Sequence, residues 1–253
     1  MALEHQVAFI TGASRGLGLA ICHALAAEGA SLAMFARDKE ETEKAAAQVR
    51  ALGNPVLPLA GDVTSAKDVE AAVRTTMETW GRIDILVCNA GTWKSTPILE
   101  ATEQTWDMLI DLNLKGVFLS CRYVVPWMVE QKRGTIVGIS SLGGTVGTAR
   151  SSIYAASKWG MRGFLESIAV ELKPHGIRVT TLYPHNMNTA GKPIAPDSDE
   201  RRRYIDAMDV AKVVAYACTA PENVVLSSAT IVPASAAITL GDVKSAEQTL
   251  ARP

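Results

Sequence analysis

Short apolar runs alternate along this chain with longer stretches in which apolar residues recur every three or four positions. Apolar runs of this length are typical of buried strands, and the longer periodic stretches are typical of amphipathic helices. The runs predict seven strands, within VAFI (7–10), SLAMFA (31–36), PVLPLA (55–60), IDILVCNA (83–90), GTIVGIS (134–140), RVTTLYP (178–184) and ATIVPA (229–234). The periodic stretches predict six helices, over residues 17–28, 38–52, 64–80, 102–132, 152–173 and 209–219.

Repeated strand–helix alternation with near-continuous apolar strands indicates a parallel sheet covered by helices on both faces. At 253 residues the chain is long enough to form a large core within one such α/β domain. We therefore predict a doubly wound α/β fold with a mostly parallel sheet of about seven strands. Because ligands of such sheets bind at the carboxyl ends of the strands, the residues that follow each strand are the candidates for function.

The composition narrows the function classes. Hydrophobic residues make up 48% of the chain and the formal net charge is −1, so neither a nucleic acid nor a membrane is expected as a partner bound through bulk charge. The four cysteines are scattered without metal-ligand spacing, which predicts reduced thiols in a cytoplasmic protein and no metal site. We see neither a signal peptide nor an apolar segment of membrane-spanning length.

The segment TGASRGLG (11–18) follows the first predicted strand and opens the first predicted helix. Glycine lets a phosphate approach the main chain, and the free N–H groups at a helix start favour an anion. A tight turn can need the same glycines for packing alone. In this context, however, the segment predicts a dinucleotide site whose candidate residues are Gly12, Ser14, Arg15, Gly16, Leu17 and Gly18.

The second strand is followed by ARDKEE (36–41), which bears on the choice of cofactor. A carboxylate at this point binds the ribose 2′-hydroxyl, whereas a basic residue accepts a 2′-phosphate. Arg37 is basic, Arg15 offers a second cation, and Asp38 is placed to cap the following helix. We therefore predict that NADP(H) is preferred, with NAD(H) possible; the alternative for Arg37 is a solvated residue at a helix start.

The third and fourth strands end in further candidates. Asp62 and Val63, in the segment GDV, are candidates to bind the adenine, although Asp62 also fits a helix cap. Asn89, Ala90 and Gly91, in the segment CNAG, form a common turn sequence at the edge of the sheet where the cofactor must pass.

The fifth strand is followed by Ser141, and the next helix begins with Tyr154 and Lys158, four positions apart on one helix face. With these residues in place, the sequence resembles the classical short-chain dehydrogenase/reductase family over roughly residues 6–189. The matching segments, in the family's order and spacing, are TGASRGLG, GDV, CNAG, LIDLNLKG, GISSLGG and YAASK. The resemblance implies a Rossmann-type fold and hydride transfer between a nicotinamide and a carbonyl or alcohol carbon.

The resemblance also implies residue roles. It makes Asn113, Ser141, Tyr154 and Lys158 catalytic, with Ser141 and Tyr154 touching the substrate and Tyr154 and Lys158 also touching the cofactor. A nearby ammonium favours a phenolate, so Lys158 is predicted to lower the pKa of Tyr154, the general acid/base, towards working pH. The alternative for Asn113 is a hydrogen bond to a neighbouring carbonyl of its own helix.

The segment YPHNMNTAGKP (183–193) departs from the family pattern. Pro184 and Thr189 match the family's nicotinamide contacts, but His185 stands where the family has glycine. A Cβ at this position is expected to change or strain the turn. His185 is a low-ranking candidate to contact substrate, and the alternative is a side chain that faces solvent.

Residues from about 189 to 209 are predicted to form a substrate lid. The run Arg201–Arg203 within it is a candidate to meet an anionic substrate, or it belongs to a solvated helix face. Trp93 and Trp159 either line the substrate pocket or serve packing.

These observations predict one NAD(P)-binding Rossmann-type domain over residues 1–253 that acts as an NADPH-dependent carbonyl reductase or alcohol dehydrogenase. A small-molecule carbonyl or alcohol is the expected substrate, and the resemblance implies a homotetramer or homodimer. One alternative is a 3-oxoacyl-thioester (acyl-carrier-protein) reductase of the same family. An alternative of another class is a non-catalytic NADP(H)-binding sensor or scaffold.

Overall fold

The computed structural model describes residues 1–188 and 203–235. The strands in this part of the chain are β1 (Val7–Thr11), β2 (Ser31–Ala36), β3 (Val56–Ala60), β4 (Ile85–Cys88), β5 (Gly134–Ile139), β6 (Ile177–Pro184), β7 (Met187–Asn188), β8 (Ile205–Asp206) and β9 (Ser228–Ile231). The α-helices are α1 (Gly16–Ala27), α2 (Lys39–Arg50), α3 (Ala66–Trp80), α4 (Glu103–Ile110), α5 (Gly116–Gln131), α6 (Ser152–Leu172) and α7 (Ala207–Thr219).

Seven strands form one parallel sheet in the order β3-β2-β1-β4-β5-β6-β9. The central strand β1 pairs with β2 on one side and with β4 on the other, so Ile10 lies between Met34 and Val87. The strand order reverses at this point, which opens a crevice at the carboxyl ends of β1 and β4. The predicted doubly wound fold, with a mostly parallel sheet of about seven strands, is confirmed.

Both faces of the sheet are covered, because successive strand residues point to opposite sides. Ile10 packs in a cluster with residues of α1, α2 and α7, whereas its neighbour Phe9 packs with residues of α3, α5 and α6. Both side chains are fully buried. These two apolar layers fix where α1 and α6 begin relative to the crevice, and hence where the residues at their N-termini lie.

The helix predicted over residues 102–132 is interrupted by a π-helical segment, Asp111–Lys115, between α4 and α5. A π turn contains one residue more than an α turn and changes which side chains face inwards. Asn113 lies in this segment and is fully buried. A prediction based on apolar periodicity does not detect one additional residue, so the interruption was missed.

A second, two-stranded sheet was also not predicted, in which β7 pairs in parallel with β8. Of the predicted lid, residues 189–202 lie outside the described residues, and the part from residue 205 onwards is regular structure rather than loop: β8 leads directly into α7. No helix in the described part of the chain combines the length and the apolar character needed to cross a bilayer.

Candidate active site

A cavity of about 590 Å³ lies at the carboxyl ends of the strands, at the crevice between β1 and β4. This volume lies within the range of small-molecule binding sites. The cavity is lined at one end by the glycine loop and the start of α2, and at the other by residues around Lys158. Of the predicted cofactor residues, those that line it are Gly12, Ser14, Arg15, Gly16, Leu17, Gly18, Arg37, Val63, Asn89, Ala90, Gly91 and Lys158.

The glycine loop needs its glycines for two distinct reasons. Gly12 and Gly16 have φ values of 64° and 55°, a region that disfavours residues with a Cβ. A Cβ at Gly18 would collide with the carbonyl oxygen of Gly12 and with the side-chain amide of Asn89. That amide donates to the carbonyl oxygens of Thr11 and Gly12 at 3.0 and 3.1 Å. The loop is therefore held directly against the end of β4, where a Cβ at Gly12 would meet the backbone of Ala90.

The end of β4 is held by Thr11, which the sequence did not single out. Its hydroxyl accepts hydrogen bonds from the backbone N–H groups of Asn89 and Ala90, both at 3.0 Å, and donates to the carbonyl of Val87. Thr11 is buried. A threonine at the last position of a central strand that precedes a glycine loop is the only signal that pointed to it.

Among the residues that the structure describes, four charged ones line the glycine-loop end of the cavity: Arg15, Arg37, Asp38 and Glu41. The Asp38 carboxylate accepts a hydrogen bond from the Glu41 N–H at 2.8 Å, so it caps α2 as predicted. Arg37 is exposed, and Arg15 lies 3.8 Å from the Glu41 carboxylate. The two predicted cations are therefore brought together, beside a carboxylate that the sequence analysis did not consider.

Asp62 does not line the cavity, unlike its neighbour Val63. Its carboxylate accepts from both the N–H and the hydroxyl of Thr64 at 2.8 Å, which closes a turn ahead of α3. The helix-cap alternative for Asp62 is wrong, because the N-cap of α3 is Ser65. The Asp62 N–H donates to Asp68, and this bond is the main cause that lowers the pKa of the Asp68 carboxyl.

Lys158 is buried at the opposite end of the cavity, and its Nζ donates to the carbonyl oxygen of Ile139 at 2.9 Å. Burial lowers the pKa of this ammonium to about 8, because a charged group loses solvation there. A Cβ added at Gly91 would lie 3.5 Å from Lys158 Nζ and 3.0 Å from Asn113 Oδ1. Two polar groups from different helices thus converge at Gly91.

Asn113 is held by groups that are distant in sequence. Its Oδ1 accepts from the Thr92 N–H at 2.8 Å, and its Nδ2 donates to the Thr92 carbonyl and to the Ser157 hydroxyl, both at 3.0 Å. The alternative that Asn113 bonds a neighbouring carbonyl of its own helix is therefore wrong. Thr92 lines the cavity, so Asn113 fixes part of its wall.

Tyr154 is partly buried near Ser141 and does not line the cavity itself. Burial raises the pKa of the Tyr154 phenol above its ordinary value, and a hydrogen bond with Ser141 acts in the opposite direction. The prediction that Lys158 lowers this pKa is wrong for this structure, in which the Lys158 ammonium bonds the Ile139 carbonyl. Gly143 leaves room for the Tyr154 ring, because a Cβ added at this position would lie 3.1 Å from it.

Pro184 ends β6, and neither it nor His185 lines the cavity; Met187, which the sequence analysis did not name, does. The His185 N–H donates to the Ile231 carbonyl at 2.9 Å, and burial lowers the pKa of its half-buried imidazole. The prediction that His185 strains the turn is wrong. In this turn the residue with positive φ is Asn186 (47°), and asparagine tolerates this conformation.

The remaining candidates divide between the cavity and other places. Trp93 is exposed and lines the cavity, whereas Trp159 lies against the guanidinium of Arg162, 5.5 Å from its ring centroid. Arg203 is exposed, and Thr189, Arg201 and Arg202 lie outside the described residues.

Residues 6–197 match the family model described as short chain dehydrogenase. An uncharacterized oxidoreductase of Staphylococcus saprophyticus is 33% identical over 233 residues, which cover 91% of this chain and 98% of the relative. An uncharacterized oxidoreductase of Listeria monocytogenes is 32% identical over 245 residues, 93% of this chain and 99% of the relative.

Two solved structures of oxidoreductases are also similar to this chain. A metagenomic short-chain oxidoreductase in complex with NADP is 35% identical, with a TM-score of 0.81 over 92% of this chain and 99% of that one. Levodione reductase is 32% identical, with a TM-score of 0.83 over 91% of this chain and 97% of that one.

Proposed function

This chain belongs to the short-chain dehydrogenase family, and we propose that it is an NADPH-dependent oxidoreductase acting on a carbonyl or secondary alcohol. One observation carries the proposal. A single cavity joins a glycine loop flanked by two arginines to the point where Lys158 Nζ and Asn113 Oδ1 converge at Gly91. An elongated ligand with a phosphorylated end and a reactive end matches this distribution of groups.

The residues present fit a nicotinamide dinucleotide. At Gly12 an added Cβ would lie 2.9 Å from the Ala90 backbone, which indicates how tightly the loop closes over the end of β4. Arg15 supplies no side-chain cap to α1, so the first N–H groups of this helix are free for a phosphate. When bound, the nicotinamide supplies or accepts the hydride.

Preference for NADP(H) is supported by the charges at the glycine-loop end of the cavity. Arg15 and Arg37 line the cavity, and the one carboxylate in the position of a ribose ligand, Asp38, already caps α2. A 2′-phosphate would gain charge-assisted hydrogen bonds from the arginines, a gain that a ribose hydroxyl does not offer. The similar metagenomic enzyme was solved with NADP.

We assign the proton transfer to Tyr154. Because burial raises the pKa of its phenol, Tyr154 is protonated at neutral pH and can donate to the oxygen of a carbonyl that is being reduced. The phenolic O–H bond breaks as the new O–H bond of the alcohol forms, and the reverse transfer accompanies oxidation. The Ser141 hydroxyl, which bonds Tyr154, stabilises the same oxygen as its negative charge develops.

We assign supporting roles to Lys158 and Asn113, which do not transfer the proton themselves. Below pH of about 8 Lys158 is cationic and can donate hydrogen bonds to the cofactor, while Asn113 fixes the Thr92 part of the cavity wall. We propose that Lys158 binds the hydroxyls of the nicotinamide ribose. Asp62 and Val63 are assigned to contact the adenine, and Pro184 and Thr189 to contact the nicotinamide. His185 is proposed to touch the substrate. We further propose that the protein acts as a homodimer or homotetramer in the cytoplasm.

The decisive experiment is NADPH oxidation, followed spectroscopically, with a panel of ketones, aldehydes and an acetoacetyl thioester. Turnover of simple carbonyls supports the proposal, and a strong preference for the thioester identifies an acyl-thioester reductase instead. Tight NADPH binding with no turnover across the panel would favour a non-catalytic sensor. Tyr154→Phe is the matched control that separates enzymatic from background oxidation.

A further inference from the structure

Glu41 lies at the arginine end of the cavity without a role in the proposed chemistry. It is the third residue of α2, and its Oε2 lies 3.8 Å from Arg15 Nη1. Its backbone N–H bonds Asp38, so the position of this residue is fixed while its carboxylate faces the cavity. The end of the cavity that we assign to a 2′-phosphate therefore contains a negative charge of the protein's own.

The pair formed by Arg15 and Glu41 is weak. Its separation exceeds the roughly 2.7–2.9 Å of a charge-assisted hydrogen bond, and both side chains are largely solvated, with relative exposures of 79% and 48%. A phosphate carries about −1.5 to −2 charges and offers three acceptor oxygens, so it displaces a single carboxylate from an arginine. Glu41 consequently does not block the site; its carboxylate competes with the 2′-phosphate for Arg15.

We propose that Glu41 is a specificity-determining residue that weakens binding of the 2′-phosphate and so narrows the difference in affinity between NADPH and NADH. It acts in two ways: it partly neutralises Arg15 before binding, and it repels the phosphate after binding. NADH carries no 2′-phosphate and is largely insensitive to both effects. This role rests on the proposed function, because it presupposes that the arginine end receives the 2′-phosphate.

The chain offers a matched control on the same helix. Glu43 lies two positions further along α2, pairs with Arg50 at 2.6 Å and does not line the cavity. Glu43→Gln changes the net charge by the same amount as Glu41→Gln, with no group removed from the cavity. A difference between the two variants therefore reports the position of Glu41 and not the overall charge of the protein.

The test uses 2′,5′-ADP and 5′-AMP as probes, which differ by the 2′-phosphate alone. Calorimetric titration of the full chain at about 20 mM and about 300 mM salt covers weak and strong screening. We expect Glu41→Gln to bind 2′,5′-ADP about three- to tenfold more tightly at low salt, from removal of one charge several ångströms from the phosphate. Affinity for 5′-AMP stays within about twofold, Glu43→Gln resembles the unmodified protein, and the gain shrinks at high salt.

A double-mutant cycle with Arg15→Gln tests whether Glu41 acts through Arg15, in which case its effect is smaller in the double variant. Unchanged or weaker binding of 2′,5′-ADP by Glu41→Gln overturns the inference. The failure of the proposed function is a separate outcome: if the unmodified protein binds 2′,5′-ADP no more tightly than 5′-AMP, NADPH preference is overturned, while the ratio between Glu41→Gln and the unmodified protein still decides the role of Glu41. Thermal unfolding of each variant confirms that it is folded.

Discussion

The side-chain amide of Asn113 donates a 3.0 Å hydrogen bond to the hydroxyl of Ser157, 44 positions further along the chain. Ser157 in turn donates to the carbonyl of Tyr154 at 2.7 Å. The bond therefore links the π-helical segment to the first turns of α6, which carry Tyr154 and Lys158. Both partners are fully buried, so neither can exchange the other for water.

Replacing Asn113 by Ala should destabilise the protein and slow its turnover. The substitution leaves Ser157 and both backbone groups of Thr92 without their side-chain partner, and we expect a loss of about 2–4 kcal/mol in the free energy of unfolding. Ser157→Ala removes fewer bonds and should cost about 1–2 kcal/mol. Urea unfolding measures both, and an Asn113→Ala variant as stable as Ser157→Ala would contradict this account.

Replacing Tyr154 by Phe should abolish the proton transfer and preserve the cavity. We expect kcat to fall by about 10²–10⁴-fold, with the dissociation constant of NADPH changed by less than about twofold. Tyr183→Phe is the control, since Tyr183 is a buried tyrosine that does not line the cavity. Substantial residual activity in Tyr154→Phe, measured by NADPH oxidation, would remove Tyr154 from the proton-donor role.

Reversing the charge of Arg37 should act on one cofactor selectively. We expect Arg37→Asp to weaken NADPH by about 10- to 100-fold, the effect of a lost charge-assisted bond, and to change NADH little. Arg74→Asp is the control, because Arg74 is an exposed residue of α3 paired with Glu78, outside the cavity. The measurement is the ratio of the two dissociation constants, and an unchanged ratio refutes the 2′-phosphate assignment.

Lys158 should make stability depend on pH in a defined window. Its pKa falls from 10.5 to about 8 in the folded protein, so between these values the unfolded chain binds more protons. The free energy of unfolding therefore rises with pH through this window, whereas below pH of about 8 the folded state carries the whole cost of the buried charge.

Lys158→Met removes this cost together with activity. After the lost bond to Ile139 is allowed for, we expect the variant to be more stable than the unmodified protein by about 1 kcal/mol at pH of about 7. Its advantage should disappear as the pH rises towards about 10, because the lysine is then neutral in the folded state. Urea unfolding of both proteins across this range is the measurement; a constant difference would show that the charge of Lys158 does not set it.

His185→Gly should alter substrate preference if the imidazole reaches the substrate. The His185 backbone bond to Ile231 does not need the side chain, so we expect the fold to persist. The measurement is the relative kcat/KM for small and bulky carbonyls. We expect kcat/KM to rise more for the bulky ones, because removal of the imidazole leaves room for them. An identical substrate profile in both proteins supports a solvent-facing side chain.

The sheet was predictable because each strand is a short apolar run and each helix is a longer periodic one. The cavity was predictable for a related reason: in a parallel sheet the residues after successive strands meet at one edge. This rule brought together the glycine loop, Arg37 and the CNAG turn from three separate parts of the sequence, and the structure places all three around one cavity.

The missed features depend on contacts that the sequence pattern does not encode. Thr92 and Ser157 are the partners of Asn113, but neither lies near it along the chain. Spacing places Tyr154 and Lys158 on one helix face, but the pKa of each depends on burial and on its actual partner, which for the Lys158 ammonium is the Ile139 carbonyl.

The π-helical segment sets a limit on deletions in this part of the chain. A π turn accommodates one extra residue in an otherwise continuous helix, so deleting one residue from Asp111–Lys115 would restore an unbroken α-helix. Because the π turn absorbs its extra residue locally, α5 would keep its register, and Val117, Val124 and Met128 would stay packed on the sheet. The deletion would instead remove the wider turn that carries Asn113, and with it the amide that holds Thr92 and Ser157. Surface loops tolerate changes in length, but here one additional residue places an amide at the wall of the cavity.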